Sequence, residues 1–274
     1  MTLNFSPKRQ KMRYEMNRID SVANEKIKYA VKIASSSSKR KEDGVFFLEG
    51  LRLCRDAAIT GIKIRTAFFT DKAFEKNQED VLFISEKADA SFLVSQAVAD
   101  KMSLTENSQG FYCLCEHSWV LSEKDIDPSG KYIALENVRD PSNLGAICRT
   151  AEALGIKGAI LSGCCDRFSP KSQRAAMGSL LRLAVIECDN LPESLLSLKE
   201  KGMKLYATTP DENASKITES DMNGGVICVI GNEANGVTDE TFAVCEKLTI
   251  PMLGRAESLN ASMAAAITMW EMVR

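Results

Sequence analysis

The second half of the chain consists of short apolar runs that alternate with helical patterns. Six such runs lie at 132–135, 158–162, 184–187, 203–208, 226–230 and 247–250. Short strands separated by helices predict an α/β domain with a parallel sheet that helices cover on both faces. Ligands of such sheets bind at the carboxyl ends of the strands, where the loops converge. These loops are therefore the first places to search for functional residues.

A smaller α/β unit precedes this sheet. Residues 45–48 and 66–69 read as strands, a helix is expected between them, and 81–84 form another short apolar run. Residues 117–130 contain Ser, Asp, Pro and Gly, a composition typical of a linker. The predicted boundaries are a basic arm over 1–22 that we expect to be flexible, a first domain over 23–117, a linker over 118–130 and a second domain over 131–274.

Charge is distributed unevenly along the 274 residues. The net charge is only -2, but residues 1–42 carry eleven Lys or Arg against four Asp or Glu. A basic amino end beside a mildly acidic body suits a polyanionic partner, although a solvated terminus would have the same composition. No apolar run reaches the roughly 18 residues that a membrane span requires, and the amino end is unlike a signal peptide. The sequence thus predicts a soluble cytoplasmic protein without membrane contact.

The cysteines and the histidine restrict the possible chemistry. There are nine cysteines but no CxxC pair, and the only histidine is His117. Structural zinc sites usually combine closely spaced Cys and His ligands, so no metal site is expected. A Ser-His or Cys-His catalytic pair is excluded outside the neighbourhood of His117.

The loop after the first of the six runs opens a helix. Asp140-Pro141-Ser142 has the composition of a helix start, and apolar residues at helical spacing follow up to residue 154. Arg149 lies on the opposite face of this helix. It is either an ordinary surface arginine or a guanidinium at the mouth of a site, where it would suit phosphate.

The loop after the run 226–230 has the sequence GNEANGV. It is not the phosphate loop of nucleotide hydrolases, because Val237-Thr238 follows the second glycine where Lys-Ser or Lys-Thr would be needed. Glu233 would repel a phosphate, but it could accept hydrogen bonds from a ribose or an arginine.

The last 25 residues contain a third polar loop, followed by a helix. Ser258 or Asn260 can cap that helix. Capping alone does not explain Glu257, Ser258 and Asn260 together, near the end of the same predicted sheet that carries Glu233.

Taken together, the three segments resemble the SpoU (TrmH) family of S-adenosylmethionine-dependent RNA ribose 2'-O-methyltransferases. The matching stretches run from Asn143 to Gly155, from Ile230 to Gly236 and from Ile250 to Ile267, in the order of the family's motifs. FFLEGLRLCRDA (46–57) and SLTENSQGFYCLCE (103–116) look like the family's substrate-binding domain, which has a ribosomal-protein-like RNA-binding fold. The resemblance covers roughly residues 23–274.

This resemblance implies a carboxyl-terminal trefoil knot, an exception to the rule that chains do not thread loops. It also implies S-adenosylmethionine as the methyl donor and no metal. By position, the donor-binding residues would be Gly231, Ile250 and Leu259, with Met252 and Thr208 nearby.

The resemblance further assigns functional polar positions. They are Asn143, Arg149, Glu233, Ser258 and Asn260. Arg149 would grip phosphate and orient the substrate, Ser258 and Asn260 would orient the ribose and the arginine, and Glu233 would fix their network. A guanidinium has a pKa above about 12, so it is a poor base near neutral pH.

The expected partners are structured RNA and a second copy of the chain. Lys39, Arg40, Lys41 and Arg52, together with the basic arm, would contact RNA phosphates, which gives affinity without sequence choice. Family members are usually homodimers, and Met263, Ile267, Met269, Trp270 and Val273 could serve that interface or simply pack in a core.

Ribosomal RNA is the favoured substrate, because simpler transfer RNA enzymes of the family generally lack the amino-terminal domain. Transfer RNA is the alternative within the family. A non-catalytic RNA-binding protein with the knot fold would have no chemical reason to keep all five polar positions. A small-molecule-binding α/β protein would leave the basic arm unexplained.

Overall fold

The computed structural model describes residues 16–106, 108–117 and 121–274, and these form two compact units. The first unit comprises the described residues up to 117 together with Phe168–Pro170. The second comprises the remaining described residues from 121 to 274. Most of the predicted basic arm, residues 1–15, lies outside the described residues.

The first unit is a five-stranded mixed sheet with helices. Its strands are β1 (Asn17–Ile19), β2 (Val45–Glu49), β3 (Ile64–Thr70), β4 (Ala88–Val94) and β5 (Phe111–Glu116). Its helices are α1 (Glu25–Ser35), α2 (Ser37–Asp43), α3 (Leu51–Thr60), α4 (Asp71–Lys76), α5 (Gln78–Lys87) and α6 (Gln96–Met102). The strand order is β1-β4-β3-β5-β2, and β5 runs antiparallel to both of its neighbours.

Two segments of this unit differ from what the sequence pattern favours. Residues 17–19, inside the predicted arm, form the edge strand β1 with Ile19 buried, so they belong to the fold. The apolar run 81–84 lies in α5, where Val81 and Ile84 are buried. Their spacing of three residues puts both side chains on one face of a helix, which explains why the short run does not form a strand.

The second unit is a seven-stranded sheet in which every pair of neighbouring strands is parallel. Its strands are β6 (Lys131–Glu136), β7 (Gly158–Ser162), β8 (Ala184–Glu187), β9 (Lys204–Thr208), β10 (Ser215–Lys216), β11 (Val226–Ile230) and β12 (Glu246–Thr249). The remaining helices are α7 (Pro141–Ala153), α8 (Pro170–Ala176), α9 (Leu191–Glu200), α10 (Asp239–Phe242) and α11 (Ala261–Val273). The strand order is β10-β12-β9-β11-β6-β7-β8, and the predicted α/β class with a parallel sheet is confirmed.

Helices cover both faces of this sheet. On one face, α7 and α11 pack through residues such as Leu144 and Met269; on the other, α9 packs through residues such as Leu195. Alternate residues of each strand enter the two cores, as with Ile133 and Ala134 of β6. None of the described helices is long and apolar enough to cross a membrane. The sheet is a rigid platform whose loops can hold a site.

Candidate active site

The carboxyl ends of four neighbouring strands carry the three motif segments. In the order β12-β9-β11-β6, these strands end at Thr249, Thr208, Ile230 and Glu136. The order of the strands along the chain reverses between β11 and β6, which is where ligands of open parallel sheets usually bind. Segments that are more than 100 residues apart in the sequence therefore meet at one edge of the sheet.

The loop after β11 is small and closed. Asn232 and Gly236 exchange two backbone hydrogen bonds, both of 2.9 Å, and Gly236 adopts a left-handed backbone with φ 70°. Inside the loop, Asn232 Oδ1 accepts the N–H groups of Ala234 and Asn235 at 2.9 and 3.1 Å. The backbone of Gly231 lies so close to Gly236 that a Cβ atom would be 2.1 Å from its carbonyl carbon. Glycine at 231 is thus required by the close approach of two backbone segments.

A cavity of about 280 Å³ opens beside this loop. Its lining includes all five predicted donor-binding residues, Thr208, Gly231, Ile250, Met252 and Leu259. Thr208 Oγ1 donates to the Val229 carbonyl at 3.1 Å, so its hydroxyl proton is used within the sheet. The lining combines aliphatic side chains and loop backbone with polar side chains such as Glu233 and Ser258, the usual composition of a small-molecule site.

A polar network joins the three segments beside this cavity, whose lining includes Glu233. Asn143 Nδ2, on α7, donates to Glu233 Oε1 at 3.0 Å. Asn260 Nδ2 donates to Asn143 Oδ1 at 3.2 Å. The backbone N–H groups of Arg139 and Asp140 also donate to the Glu233 carboxylate, both at 3.2 Å. The structure thus brings together Asn143, Glu233 and Asn260.

Glu233 is held in its ionised form. Partial burial favours the neutral acid, but the hydrogen bonds from Asn143 and from the backbone of Arg139 and Asp140 outweigh it and lower the pKa of Glu233. A lowered pKa means that this network is intact at neutral pH and is lost as the pH falls through the lowered value. A carboxylate that already accepts three N–H donors is a poor proton acceptor for catalysis.

Asn260 has a second role as the N-cap of α11. Its Oδ1 accepts the Ser262 N–H at 2.9 Å and the Ser262 hydroxyl at 2.6 Å, while its Nδ2 serves the network. Both sequence explanations of Asn260, as a helix cap and as a site residue, are therefore compatible with one side chain.

Arg149 and Ser258 are not joined to this network. Ser258 lines the cavity and is exposed. Arg149 is exposed on α7, and within the described parts of the chain it has no ion-pair partner. Six residues of helix separate it from Asn143, a rise of roughly 9 Å at 1.5 Å per residue. The network and Arg149 are therefore separate in a single copy of the chain.

The predicted RNA-binding residues fall into two groups. Lys41 and Arg52 are exposed, whereas Lys39 pairs with Asp43 at 2.9 Å and with Glu42 at 3.3 Å. Arg40 is buried, and its Nη1 donates to the carbonyls of Ile33 and Ala34 at the end of α1. The expectation that Arg40 contacts RNA is therefore wrong: its guanidinium satisfies helix carbonyls inside the fold. Lys39, Lys41 and Arg52 remain predictions.

Two asparagines that the sequence analysis missed shape the site. Asn232 Nδ2 donates to the Asn137 carbonyl at 2.8 Å, which ties the loop after β11 to the loop after β6. Asn137 has a left-handed backbone with φ 56° and donates its N–H to the Ser162 carbonyl at 2.8 Å. Asn137 directly follows β6 and Asn232 comes two residues after the end of β11, so the rule of polar residues at carboxyl strand ends could have found them. Among the described residues, no group of His, Cys, Asp or Glu could hold a metal ion.

The fold is that of an RNA methyltransferase that takes its methyl group from S-adenosylmethionine. The chain belongs to the SpoU rRNA methylase family, whose model matches residues 130–270. Residues 24–113 match the MRM3-like substrate binding domain. These matches confirm the predicted family, enzyme class and methyl donor.

Individual relatives agree with this assignment. The 23S rRNA (guanosine(2553)-2'-O)-methyltransferase of Bacillus subtilis is 28% identical over 94% of this chain and 99% of its own length. An uncharacterised tRNA/rRNA methyltransferase of Synechocystis is 31% identical, with 85% of each chain covered. The crystal structure of an AdoMet-bound rRNA methyltransferase from Sinorhizobium meliloti is similar with a TM-score of 0.84 and 28% identity, over 94% of this chain and 97% of that one.

Proposed function

We propose that this protein transfers a methyl group from S-adenosylmethionine to the ribose 2'-hydroxyl of a nucleotide in 23S ribosomal RNA. The observation that carries this function is the network of Asn143, Glu233 and Asn260, which adjoins the cavity through Glu233. It places amide and carboxylate groups suited to a ribose next to a pocket suited to the donor. Acting on ribosomal RNA, the protein would work in the cytoplasm.

The residues of the cavity fit the methyl donor. Ile250, Met252 and Leu259 offer aliphatic surface for the adenosine and for the methionine chain. Since Gly231 and Gly236 approach without side chains, loop N–H and C=O groups can reach the polar edges of the donor. The bound donor supplies both the methyl group and its own leaving group.

The protein must therefore hold the ribose hydroxyl in line with the methyl group. Glu233 keeps the Asn143 amide in one orientation, and Asn143 in turn holds Asn260, so these side chains form a rigid edge for the ribose. Arg149 grips the phosphate next to the target nucleotide, since a guanidinium binds phosphate in a fork but is too weak a base to take the hydroxyl proton.

Asn260→Ala and Asn260→Asp separate the two roles of Asn260. The alanine variant loses the cap, so we expect its free energy of unfolding to fall by about 1 kcal/mol and its methyl transfer to fall as well. Aspartate keeps a capping oxygen but replaces Nδ2 with an acceptor that faces Asn143 Oδ1. Chemical denaturation should show near-wild-type stability for Asn260→Asp, while its methyl transfer stays low. An active aspartate variant would reduce Asn260 to a helix cap.

The presence of the first unit favours ribosomal RNA over transfer RNA as the substrate. The match to a substrate binding domain covers residues 24–113, and the Bacillus subtilis relative that shares nearly the full length is named as a 23S rRNA enzyme. We further propose the carboxyl-terminal knot of the family, in which the loops after β11 and β12 wrap the donor.

We also propose a homodimer through α11. Four residues of this helix form one exposed stripe, Met263, Ile267, Trp270 and Val273, and Trp270 is 56% exposed. Met269, the fifth residue considered for the interface, is instead buried in the core of the second unit. Contiguous exposed apolar surface of this kind marks association sites. In the dimer, Arg149 of one copy would complete the network of the other.

Trp270→Lys tests this interface. Since tryptophans at the centre of interfaces contribute at least about 2 kcal/mol, we expect the dimer dissociation constant to rise by a factor of about 30 or more. Light scattering over a dilution series measures the change. Ile59→Lys, at a 61% exposed apolar position of α3, is the matched control and should leave the mass unchanged. A Trp270→Lys protein that stays dimeric would refute the proposed face.

The reaction itself is tested with methyl-labelled S-adenosylmethionine and unmodified ribosomal or transfer RNA. Digestion of the labelled RNA identifies the modified nucleoside. We expect one 2'-O-methylnucleoside from the 23S rRNA pool. Label on a base, or label in transfer RNA alone, would contradict the proposed function.

A further inference from the structure

A second cavity, of about 380 Å³, borders the same loop as the donor cavity. Its lining consists of Asn137, Arg139, Asn232, Asn235, Gly236 and Thr238. We propose that this cavity receives the base of the methylated nucleotide and that the Arg139 side chain selects guanine there. The proposal rests on the proposed function and adds the residue that determines the base.

The position of this cavity matches where a base would lie. It shares Asn232, Asn235 and Gly236 with the donor cavity, so both cavities adjoin the loop after β11. Arg139, which lines this cavity, donates its backbone N–H to Glu233, so the cavity adjoins the network that would hold the ribose. A base is bonded directly to its ribose and must enter a neighbouring space. With the donor in the first cavity, the second cavity offers such a space beside the same loop.

The polar groups of the lining divide into occupied and available ones. The Asn232 amide already has three partners, the Asn137 carbonyl and two N–H groups of its own loop. Thr238 Oγ1 is used by the Glu136 carboxylate at 2.9 Å. In contrast, the Arg139 guanidinium has one long contact, from Nη2 to Asn137 Oδ1 at 3.5 Å. The Asn235 side chain makes no hydrogen bond to another described residue, so both can serve a ligand.

The fold fixes the position of the Asn137 side-chain amide beside Arg139. The left-handed backbone of Asn137 is unusual outside glycine, although asparagine tolerates it best. A Cβ atom on Gly163 would lie 2.3 Å from Asn137 Oδ1, so the absence of a side chain at 163 leaves room for this amide. The amide oxygen is thereby positioned as the acceptor that orients the Arg139 guanidinium.

A guanidinium suits the edge of guanine. Arginine pairs in a bidentate manner with O6 and N7 of guanine, both of which are acceptors. The corresponding edge of adenine carries an amino donor, which would face the donors of the guanidinium. The lining contains no carboxylate that would repel the guanine acceptors. The cavity therefore favours guanine over adenine.

The test combines a variant with a modified substrate. RNA is prepared with either guanosine or 7-deazaguanosine, which lacks the N7 acceptor, at the single position that the wild-type protein methylates. The kcat/KM for methyl transfer is measured for the wild-type protein, Arg139→Ala, Arg139→Lys and Asn235→Ala. The backbone N–H of residue 139 remains in both Arg139 variants, and the exposed Arg139 side chain does not line the donor cavity, so folding and donor affinity should be unchanged in these two variants.

We expect the 7-deaza substitution to lower kcat/KM of the wild-type protein about fivefold or more, within the range of one bidentate contact. Arg139→Ala should lose between about fivefold and a hundredfold on the guanosine substrate, and the 7-deaza change should then cost it nothing more. Arg139→Lys should resemble the alanine variant because an ammonium group cannot form the bidentate contact of a guanidinium. Asn235→Ala should also lower kcat/KM.

Several outcomes would overturn the inference. One is an equal loss from 7-deazaguanosine in wild type and Arg139→Ala, which would make Arg139 a phosphate contact. Others are full activity of Arg139→Ala and a methylated nucleotide that is not guanosine. In each of these cases the wild-type protein still forms a 2'-O-methyl product, so the proposed function survives. A wild-type protein that methylates no ribose would refute the function and the inference together.

Discussion

Arg149→Ala is expected to lower methyl transfer at least about a hundredfold while the dissociation constant of the donor changes less than about twofold, because the guanidinium acts on the RNA phosphate. Arg149 does not line the donor cavity, so donor binding has no reason to suffer. Its exposure on α7 means that the variant should unfold like wild type. Arg149→Lys retains the positive charge but lacks the bidentate guanidinium, so its rate of methyl transfer should lie between those of Arg149→Ala and wild type. Loss of donor binding by Arg149→Ala would contradict the assigned role.

A mixing experiment tests where Arg149 acts. If the site combines Arg149 of one copy with Asn260 of the other, a dimer of one Arg149→Ala chain and one Asn260→Ala chain contains one intact site. Re-associating the two inactive variants in equal amounts should then restore roughly a quarter of the wild-type rate, since half of the dimers are mixed. A site formed within one chain would give no recovery.

Gly231→Ala is expected to weaken donor binding by about tenfold or more and to reduce methyl transfer accordingly. The new Cβ would lie 2.1 to 2.4 Å from backbone atoms of Gly236 and Val237, so the loop must move. Overpacking against backbone typically costs about 1 to 3 kcal/mol, and here the displaced segment is a wall of the cavity. Isothermal titration calorimetry with S-adenosylmethionine measures the loss directly.

Gly254→Ala is the matched control, because a Cβ there would meet no atom within 4 Å and the backbone is not left-handed. This variant should bind the donor like wild type. Equal losses from both glycine variants would mean that general loop flexibility, rather than the close approach at Gly231, governs the cavity.

The sequence predicted much of the site because the site follows from strand ends. Glu233 follows β11 closely and Asn143 lies in the first turn of the helix after β6, so a parallel sheet is enough to bring their segments to one edge. The strand order within the sheet could not be predicted from periodicity, which identifies buried faces but not neighbours. Arg40 illustrates the same limit, since a cluster of basic residues does not reveal which guanidinium will satisfy the carbonyls of α1.

What the sequence by itself determined is the class of the domain, the family and the three segments that carry the site, because apolar periodicity and motif spacing are local properties of the chain. Only the tertiary structure decided which groups in those segments are already used and which are available. The Asn232 side chain forms hydrogen bonds with its own loop and with Asn137, while most N–H groups of the nearby Arg139 guanidinium remain available to a ligand. Hydrogen bonds between residues almost 100 positions apart depend on how the strands are arranged, and that arrangement is a property of the folded sheet as a whole.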